Sequence, residues 1–322
     1  MDQLSVRGLK TYYLPESPAP VRAVDGVSFQ VRRGTSLGIA GESGCGKSTA
    51  ALSLMRLVKE GKIVGGEILL DDLSLLTLKD REFNRVRWER ISLVSQAAMN
   101  ALNPVFKIGH QIVETILAHR KTGTRQAWKM AEALLEQVEI EPSRVRSFPH
   151  ELSGGMRQRA MIALALALDP ELIIADEPTT ALDVVTQAQI IKLLRRLQRE
   201  RGIAVIFISH DLSILGQACD RILIMYAGTI VEEGDTDSIF ESPFHPYTRA
   251  LLNSFPDIRE KRKHLKGLPG NPPDLSNPPS GCRFHPRCPS ADPLCSRTPP
   301  LLREAAPGRS VACHHIVDKG GK

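Results

Sequence analysis

The sequence predicts an α/β fold with a parallel sheet, and two observations carry this prediction. First, apolar runs at 172–175 (LIIA) and 203–208 (IAVIFI) flank a helical pattern over 183–201. Continuous apolar strands that alternate with helices are typical of a parallel sheet covered on both faces. Second, residues 41–49 read GESGCGKST between the apolar run SLGIA and a helix-forming segment, which is the strand–loop–helix context of a phosphate-binding loop.

The remaining elements follow from hydrophobic spacing and turn residues. We predict a charged helix at 80–90, strands at 4–9, 23–31, 65–71 and 91–96, and a closing hairpin from 221–226 and 228–232. Between 97 and 139 the pattern becomes helical, with Ile108, Ile112 and Ile116 at helical spacing. In the helix over 183–201, the same spacing places Val185 and Leu193 on the inner face.

The composition of the chain changes after residue 240. Fourteen of the 22 prolines lie beyond that point, and such a density disfavours regular structure. We therefore predict a core domain over 1–240, with a helical subdomain at about 97–165, and a small irregular extension over 241–322.

Charge and hydropathy limit the partners of this 322-residue chain. The net charge is +6 with a pI near 9.0, which would suit nucleic acid or anionic lipid. However, basic and acidic residues are interleaved and aromatic residues make up only 5% of the chain, so we expect no nucleic-acid partner. Since no apolar run approaches the ~18 residues of a transmembrane helix, we expect a cytoplasmic protein unless a membrane partner holds it.

The stretch 41–49 supplies the groups that bind a nucleoside triphosphate. Its glycines let backbone N–H groups approach phosphate oxygens, and the helix N-terminus behind them adds partial positive charge. Lys47 is predicted to reach the β- and γ-phosphates, and the Ser48 hydroxyl to ligate Mg²⁺. The predicted ATP contacts of the loop are Gly41, Ser43, Gly44, Cys45, Gly46, Lys47, Ser48 and Thr49.

Polar residues end three of the predicted strands. They are Gln96, the pair Asp176 and Glu177, and His210. Because ligands bind beyond the carboxyl ends of parallel strands, we expect these side chains to cluster beside the phosphate loop. Asp176 is predicted to hold Mg²⁺, and Glu177 to polarise the attacking water as a general base.

Residues 152–158 read LSGGMRQ ahead of an apolar helix, which makes a second anion-binding helix N-terminus. One nucleotide cannot easily use two such loops of one chain. A head-to-tail dimer can use both, with Ser153, Gly154 and Gly155 of one subunit closing on the γ-phosphate held by the other.

Together, GESGCGKST, LSGGMRQ and LIIADEPTTALD resemble the ATP-binding subunit of an ATP-binding-cassette (ABC) transporter over roughly residues 4–234. The resemblance implies a P-loop NTPase core with a parallel sheet, an antiparallel β subdomain and a helical subdomain. Residues 97–150 would dock onto transmembrane subunits. Cys45 stands where serine is frequent in this family; a thiol beside a helix N-terminus can have a lowered pKa, although a tolerated small residue is the simpler interpretation.

The resemblance also implies roles for individual residues. Tyr13, with Tyr12 as the alternative, would stack on adenine, and His210 would contact the γ-phosphate. Gln96 would contact Mg²⁺ together with Ser48 and Asp176, and would sense the membrane partner. The residues acting in trans across the dimer would be Ser153, Gly154, Gly155, Gln158 and Asp183.

The extension over residues 241–322, called the tail below, points to one subfamily of these ATPases. The stretches FHPYTRALL at 244–252 and GCRFHPRCP at 281–289 resemble the C-terminal extension of the dipeptide/oligopeptide permease ATPases. Four cysteines in this region, Cys282, Cys288, Cys295 and Cys313, have the spacing C-x5-C-x6-C-x17-C. Four thiolates can hold Zn²⁺ or a [4Fe–4S] cluster. The spacing does not distinguish between these two groups, whereas the resemblance favours [4Fe–4S]. His285, His314 and His315 are candidate replacement ligands, with bystanders as the simpler interpretation.

The resemblance therefore implies an ATP-hydrolysing subunit that powers import of di- and oligopeptides at the cytoplasmic face of the membrane. Its partners would be a second, related ATPase in a heterodimer, two transmembrane permease subunits and, indirectly, an extracytoplasmic binding protein. Alternative cargoes are a nickel complex, glutathione or an oligosaccharide. Of other protein classes, a soluble ABC ATPase acting on nucleic acid or ribosomes would share the core motifs, and a phosphate-loop kinase would have no need of LSGGMRQ.

Overall fold

The computed structural model describes residues 2–95, 101–254 and 270–316, which form two compact units. The loop unit contains the described residues of Leu4–Gln30, Leu37–Asp72 and Ser209–Lys322. The helical unit contains those of Met1–Gln3, Val31–Ser36 and Leu73–Ile208. The phosphate loop and the proline-rich tail therefore belong to the loop unit, whereas the acid pair and the LSGGMRQ stretch belong to the helical unit.

The strands and helices of the described residues have the following bounds. The strands are β1 (Asp2–Tyr13), β2 (Val21–Arg32), β3 (Ser36–Ala40), β4 (Gly61–Leu70), β5 (Leu73–Ser74), β6 (Ile91–Val94), β7 (Leu172–Asp176), β8 (Ala204–Ser209), β9 (Arg221–Tyr226), β10 (Thr229–Asp235), β11 (Arg303–Ala306) and β12 (Arg309–Val311). The helices are α1 (Lys47–Leu54), α2 (Asp80–Glu89), α3 (Ile108–His119), α4 (Thr124–Gln137), α5 (Gly154–Ala165), α6 (Val184–Arg201), α7 (Leu212–Ala218), α8 (Thr236–Glu241), α9 (Pro246–Asn253) and α10 (Pro293–Arg297). Short 3₁₀ turns occur at Pro142–Arg146, Pro149–Glu151 and His285–Arg287.

The first sheet of the loop unit places β1 between β2 and β4. β1 and β4 are antiparallel, with Leu4 opposite Leu70 and Val6 opposite Ile68. All four side chains are buried, so these cross-strand pairs contribute directly to the core. This is the antiparallel β subdomain that the resemblance implies.

The second sheet of the loop unit contains β3, β9, β10, β12 and β11 in that order. β3 and β9 are parallel, and β9 and β10 form the predicted antiparallel hairpin. Every residue of β3 is buried, as expected for a strand covered on both faces. The phosphate loop therefore starts from a rigid, fully buried strand.

The tail is more regular than its proline content predicts. β12 pairs with β10, with Glu232 opposite Val311, and β11 pairs with β12. Pro299, Pro300 and Pro307 lie outside both strands, where a missing N–H interrupts no ladder. The expectation of an irregular extension is therefore wrong for β11 and β12, which extend a core sheet.

The helical unit contains the predicted parallel strands. Ile91 of β6 pairs with Leu172 of β7, which in turn pairs with Ala204 of β8. β7 and β8 are buried along their whole length. The continuous apolar runs therefore form a parallel sheet, as predicted.

Between β6 and β7 the chain forms the predicted helical insert. α3 and α4 pack against each other, and their buried residues include Ile112 and Ile116 of α3 and Ala131 and Leu135 of α4. None of the helices in the described ranges is long and apolar enough to cross a lipid bilayer.

The first turn of α6 differs from prediction. Val184 and Val185 are 79% and 68% exposed, whereas Ile190 and Leu193 are buried. The inner-face position of Val185 is therefore wrong. Helical spacing identifies the face on which a residue lies, but does not show how far a neighbouring element covers that face.

Candidate nucleotide-binding site

The phosphate loop joins β3 to α1 and requires glycine at both ends. Gly46, the N-cap of α1, has a φ of 104°, and a Cβ there would lie 2.0 Å from the Ala23 carbonyl oxygen. Gly41 has a φ of 151°, and its Cβ would lie 2.3 Å from the Met225 carbonyl oxygen. No other residue fits these positions without displacing backbone.

Lys47 is the first residue of α1 and is buried, with 7% of its surface exposed. Its Nζ donates to the carbonyl oxygens of Gly41 at 2.7 Å and Glu42 at 3.0 Å. The loop thus holds an ammonium group at a helix N-terminus, where charge and backbone dipoles together favour a phosphate.

Cys45 lies inside the loop with 5% of its surface exposed. Burial raises the pKa of its thiol, although Lys47 lowers it. The suggestion of a lowered thiol pKa is therefore wrong, because desolvation of the thiolate outweighs the nearby cation. Cys45 is a packed side chain of the loop, as the simpler interpretation holds.

The two adjacent tyrosines at the end of β1 have different surroundings. The Tyr13 hydroxyl lies 3.3 Å from the Thr49 hydroxyl at the end of the phosphate loop. Tyr12 instead donates to Asp25 Oδ1 at 2.7 Å, and burial together with Asp25 raises the pKa of Tyr12 to about 12. Because the Tyr12 hydroxyl already donates to Asp25, Tyr13 is favoured as the adenine contact.

The acid pair follows β7, and both residues are buried, with 7% of Asp176 and 8% of Glu177 exposed. Glu177 has a left-handed backbone with a φ of 49°, which costs a non-glycine residue about 1–3 kcal/mol. Its N–H donates to the Ile208 carbonyl at 2.9 Å, and its Oε2 accepts from the Thr180 hydroxyl at 3.3 Å. Since nine other non-glycine residues in the described ranges also have a positive φ, this strain does not by itself identify Glu177 as catalytic.

The LSGGMRQ stretch begins α5. Ser153 is the N-cap, and its Oγ accepts the Met156 N–H at 3.3 Å. A Cβ at Gly155 would lie 2.7 Å from Cγ2 of Thr186, so the missing side chain lets α5 approach α6. Gln158 is buried with 4% of its surface exposed, and within the described ranges its Nε2 has no hydrogen-bond partner. The structure thus places Gln158 in the interior of the helical unit, whereas Ser153 lies at the helix end.

Asp183 is the N-cap of α6. It accepts the Thr186 N–H at 2.9 Å and the Thr186 hydroxyl at 2.7 Å, and these bonds lower the pKa of Asp183. Thr186 therefore contacts Asp183 through its hydroxyl and faces Gly155 through its methyl, which links the two segments predicted to act across a dimer.

His210 directly follows β8 and is exposed. The next residue, Asp211, caps α7 by accepting the Ser213 N–H at 2.8 Å. His210 is therefore positioned between a strand end and a helix cap. Gln96, predicted to contact Mg²⁺, lies outside the described residues.

The four tail cysteines are free thiols, with Cys295 and Cys313 buried and Cys282 and Cys288 partly so. Burial is the main cause that raises the pKa of each thiol, and neighbouring cysteines raise it further. For Cys282, burial and the other three cysteines raise the pKa to about 11. A bound metal ion would reverse the effect of burial and of the neighbouring thiols on these pKa values.

Potential non-thiol ligands also lie in the tail. Within the described residues, ligand atoms of Asp292, Cys295 and His315 lie within 4.8 Å of one another, with His315 Nε2 3.5 Å from Cys295 Sγ. The other two candidate histidines contact backbone carbonyls, His285 that of Cys282 at 2.9 Å and His314 that of Thr298 at 2.8 Å. One thiol, one imidazole and one carboxylate are donor types that suit zinc.

Sequence reasoning missed the residues that join the tail to the phosphate loop. Arg287 donates to both carboxylate oxygens of Glu42, and the Glu42 N–H donates to the Tyr247 hydroxyl. Arg287 and Glu42 are 245 positions apart, so no motif spacing or periodicity could have paired them.

A phosphate loop, an acid pair after a buried parallel strand and an LSGG helix N-terminus together define an ATP-binding-cassette ATPase. The family model described as "ABC transporter" matches residues 24–180, and that described as "Oligopeptide/dipeptide transporter, C-terminal region" matches residues 231–295. The chain belongs to the ABC transporter family of ATP-binding proteins, in the group that carries this C-terminal region.

Three characterised relatives match nearly the whole chain. The oligopeptide transport ATP-binding protein OppD of Escherichia coli is 43% identical, with 98% of this chain and 94% of OppD covered. The dipeptide transport ATP-binding protein DppD of the same organism is 42% identical over 100% of this chain and 99% of its own. AppD of Bacillus subtilis, an oligopeptide transport ATP-binding protein, is 41% identical over 99% and 98%.

Solved structures support the same fold. A dimeric post-hydrolysis structure of the ATP-binding cassette MJ0796, bound to ADP and Pi, is similar with a TM-score of 0.65 and 28% identity, covering 72% of this chain and 98% of that one. The structure of cbiO1 from Clostridium perfringens, part of an ABC transporter complex, is similar with a TM-score of 0.66 and 27% identity, covering 75% and 91%.

Proposed function

We propose that this chain is the ATP-binding and ATP-hydrolysing subunit of an ABC importer for di- and oligopeptides. The observation that carries the proposal is the presence, in one chain, of the ATPase motifs and of a tail matching the oligopeptide/dipeptide transporter region. The ATPase motifs alone would serve any ABC transporter. The tail, together with full-length similarity to OppD and DppD, supports peptides as the cargo.

The proposed chemistry assigns a role to each site residue. Lys47 binds the β- and γ-phosphates, Ser48 and Asp176 hold Mg²⁺ with Gln96, and Tyr13 stacks on adenine. Glu177 polarises the attacking water, and His210 contacts the γ-phosphate. The position of Glu177 directly after the buried strand β7 supports its role, since ligands bind beyond the carboxyl ends of parallel strands.

Each ATP site is completed by a second ATPase subunit, which we propose is a related chain in a heterodimer. Ser153, Gly154, Gly155 and Asp183 would act on the partner's nucleotide, whereas the predicted contact of Gln158 is not included because its side chain is buried in the helical unit. Two exposed valines, Val184 and Val185, adjoin Asp183; large exposed apolar side chains beside a predicted contact loop are typical of an interface. The dimeric MJ0796 cassette with ADP and Pi supports this arrangement.

The membrane partners would be two transmembrane permease subunits, with an extracytoplasmic protein delivering the peptide. In the segment just before α3, Val105 and Phe106 are 74% and 54% exposed. They lie in the region 97–150 that the resemblance assigns to permease docking, which supports a peripheral position on the cytoplasmic face of the membrane.

We also propose that Cys282, Cys288, Cys295 and Cys313 hold a [4Fe–4S] cluster, with Zn²⁺ as the alternative. The position of Cys282, Cys288 and Cys295 within the matched C-terminal region supports the proposal. Either group, when bound, would cross-link four points of a small proline-rich segment and so stabilise it.

Reconstitution tests the transport proposal. The chain would be purified with its permease subunits in lipid vesicles, and ATP hydrolysis measured with and without peptide-loaded binding protein. We expect peptide to stimulate hydrolysis, and DNA or RNA to have no effect. If a nickel complex, glutathione or an oligosaccharide stimulated hydrolysis and peptide did not, the proposed cargo would change, whereas the assignment as an ABC importer ATPase would stand. Stimulation by nucleic acid or ribosomes without membrane subunits would overturn the proposal.

Metal analysis of anaerobically purified protein tests the cluster. About four irons and four sulfides per chain would establish [4Fe–4S]. About one zinc per chain would replace the cluster with a structural zinc site. Protein with neither would contradict metal binding by the tail.

A further inference from the structure

We propose that Arg287 of the tail is a positioning residue for the phosphate loop, and that it promotes ATP binding by neutralising Glu42. This inference rests on the proposed nucleotide-binding role of residues 41–49. It assigns to the tail a direct effect on nucleotide affinity, besides any metal that the tail holds.

The geometry of the pair is bidentate. Arg287 Nη1 lies 2.7 Å from Glu42 Oε2, and Nη2 lies 3.0 Å from Oε1. The two side chains are only 6% and 21% exposed, so water screens their interaction weakly. A fork of two parallel charge-assisted bonds fixes orientation as well as charge, which a lysine could not do.

Aromatic residues hold the arginine in place. Arg287 Nη1 lies 3.3 Å from the Tyr226 hydroxyl, and the rings of Tyr226 and Phe284 meet edge to face at 5.2 Å. Tyr247, which is fully buried, packs on Tyr226 at 4.6 Å and accepts the Glu42 N–H at 2.8 Å. The carboxylate and the backbone N–H of Glu42 are therefore both held by residues beyond position 240.

Glu42 is the second residue of the phosphate loop, and its carbonyl oxygen accepts a bond from Lys47 Nζ at 3.0 Å. A carboxylate at this position would repel a triphosphate if it were not neutralised. Without Arg287, the same carboxylate would be left partly buried and unpaired, and its reorientation would move the loop. Both effects would weaken nucleotide binding, whereas the hydrolytic step at bound ATP would be unchanged.

The test measures ATP affinity of the full-length chain by nucleotide titration, and KM and kcat in the vesicle-reconstituted complex. Arg287→Met should raise the Kd and KM for ATP about tenfold with little change in kcat. Arg287→Lys should give an intermediate Kd. The double variant Arg287→Met/Glu42→Gln should recover most of the affinity, because it removes the unpaired carboxylate while keeping its shape.

A matched control comes from the same segment. Arg309, another buried arginine of the tail, bonds to Glu232 and to the Ser242 carbonyl oxygen, which lie outside residues 41–49. Arg309→Met should lower the melting temperature and leave the Kd for ATP within about twofold. If Arg309→Met weakened binding as much as Arg287→Met, or if the double variant recovered nothing, Arg287 would be a structural anchor only and the inference would be overturned. Circular dichroism verifies that each variant folds. If Arg287→Met does not fold, Arg287→Lys and Glu42→Gln are the variants that test the inference.

Two negative results have different meanings. Wild-type protein that does not bind ATP would refute the nucleotide site itself, whereas normal ATP binding by Arg287→Met would refute only the role of Arg287.

Discussion

At the scale of single residues, local chemistry and backbone geometry agree closely in the phosphate loop. Gly41 and Gly46 occupy positions where a Cβ would meet backbone oxygen at 2.3 and 2.0 Å. Lys47 is buried, and its Nζ donates to the Gly41 carbonyl oxygen of the same loop. Such positions admit one residue type, which explains why the motif could be identified without any structure.

Lys47→Ala should abolish most of the affinity for ATP. Removing a buried ammonium group deprives the phosphates of a charge-assisted hydrogen bond, which is worth up to about 100-fold in affinity. Nucleotide titration measures the change, and Lys59→Ala, at an exposed lysine just beyond α1, is the control. Unchanged affinity in Lys47→Ala would contradict the phosphate-loop assignment.

Glu177→Gln should bind ATP normally and lose turnover. The amide has the same shape but cannot accept a proton from water, and general-base catalysis contributes about 10²–10⁴-fold. Single-turnover hydrolysis, together with nucleotide titration, separates the two effects. Near-normal turnover would exclude Glu177 as the base.

His245 makes folding stability dependent on pH. Burial, with Arg249, lowers its pKa from 6.5 to about 3, and its neutral Nδ1 accepts the Tyr247 N–H at 3.0 Å. Between pH 6.5 and 3, His245 binds a proton in the unfolded chain but not in the folded chain, so folding stability is lost as the pH falls through this range. At pH 5.5 the loss relative to neutral pH should be about 1.4 kcal/mol from this residue.

Denaturant unfolding at pH 7.5 and 5.5 measures this loss. His245→Asn is the matched variant, because its side-chain oxygen can cap α9 in the same way without titrating. The pH dependence of the variant should be smaller by about the amount given above. An equal dependence in both proteins would show that His245 does not titrate as the structure implies.

At the scale of elements, helix ends carry the features expected to act across the dimer. Ser153 is the N-cap of α5 and Asp183 that of α6, and each side chain accepts a backbone N–H of its own helix. Gly155 and Thr186 bring the two helix ends together. The start of each helix could be predicted from its capping residue. The close approach of the helix ends could not, since it depends on two segments about thirty positions apart in sequence.

Gly155→Ala should lower the free energy of unfolding by about 1–2 kcal/mol. Its new methyl group would lie 2.7 Å from Cγ2 of Thr186, which must then move and disturb the Asp183 cap. Adding Thr186→Ser, which removes that Cγ2 and keeps the hydroxyl, should restore most of the loss. Thermal unfolding of the single and double variants measures the coupling, and additive effects would rule out the contact as the cause.

At the scale of the whole molecule, the tail belongs to the same compact unit as the phosphate loop. β12 pairs with β10, and buried Arg309 bonds to Glu232, a fully buried carboxylate of β10. That carboxylate also accepts the N–H groups of Phe244 and His245. The tail is thus joined to the core by strand pairing and by buried charge.

Under the proposed four-cysteine ligation, Cys288→Ser should lose the metal of the tail and lower the melting temperature of the full-length chain, because a group bound by all four thiolates would cross-link this segment. Metal analysis and thermal unfolding measure both effects. Cys219→Ser, at a buried cysteine outside the tail, should keep the metal content. Retention of the metal in Cys288→Ser would remove this thiol from the ligand set.

The sequence by itself determined the class of this protein, because each motif is local: the phosphate loop spans nine positions, and its chemistry needs those residues in that order. Hydrophobic periodicity likewise determined the strands and helices, since each period reflects one face of one element. Only the tertiary structure decided that Val185 is exposed, that Gln158 is buried and that proline-rich residues extend a core sheet. It alone decided that Arg287 neutralises Glu42. These features depend on contacts between residues that are far apart in the sequence. Burial and charge pairing stabilise such contacts, and a local sequence pattern cannot predict them.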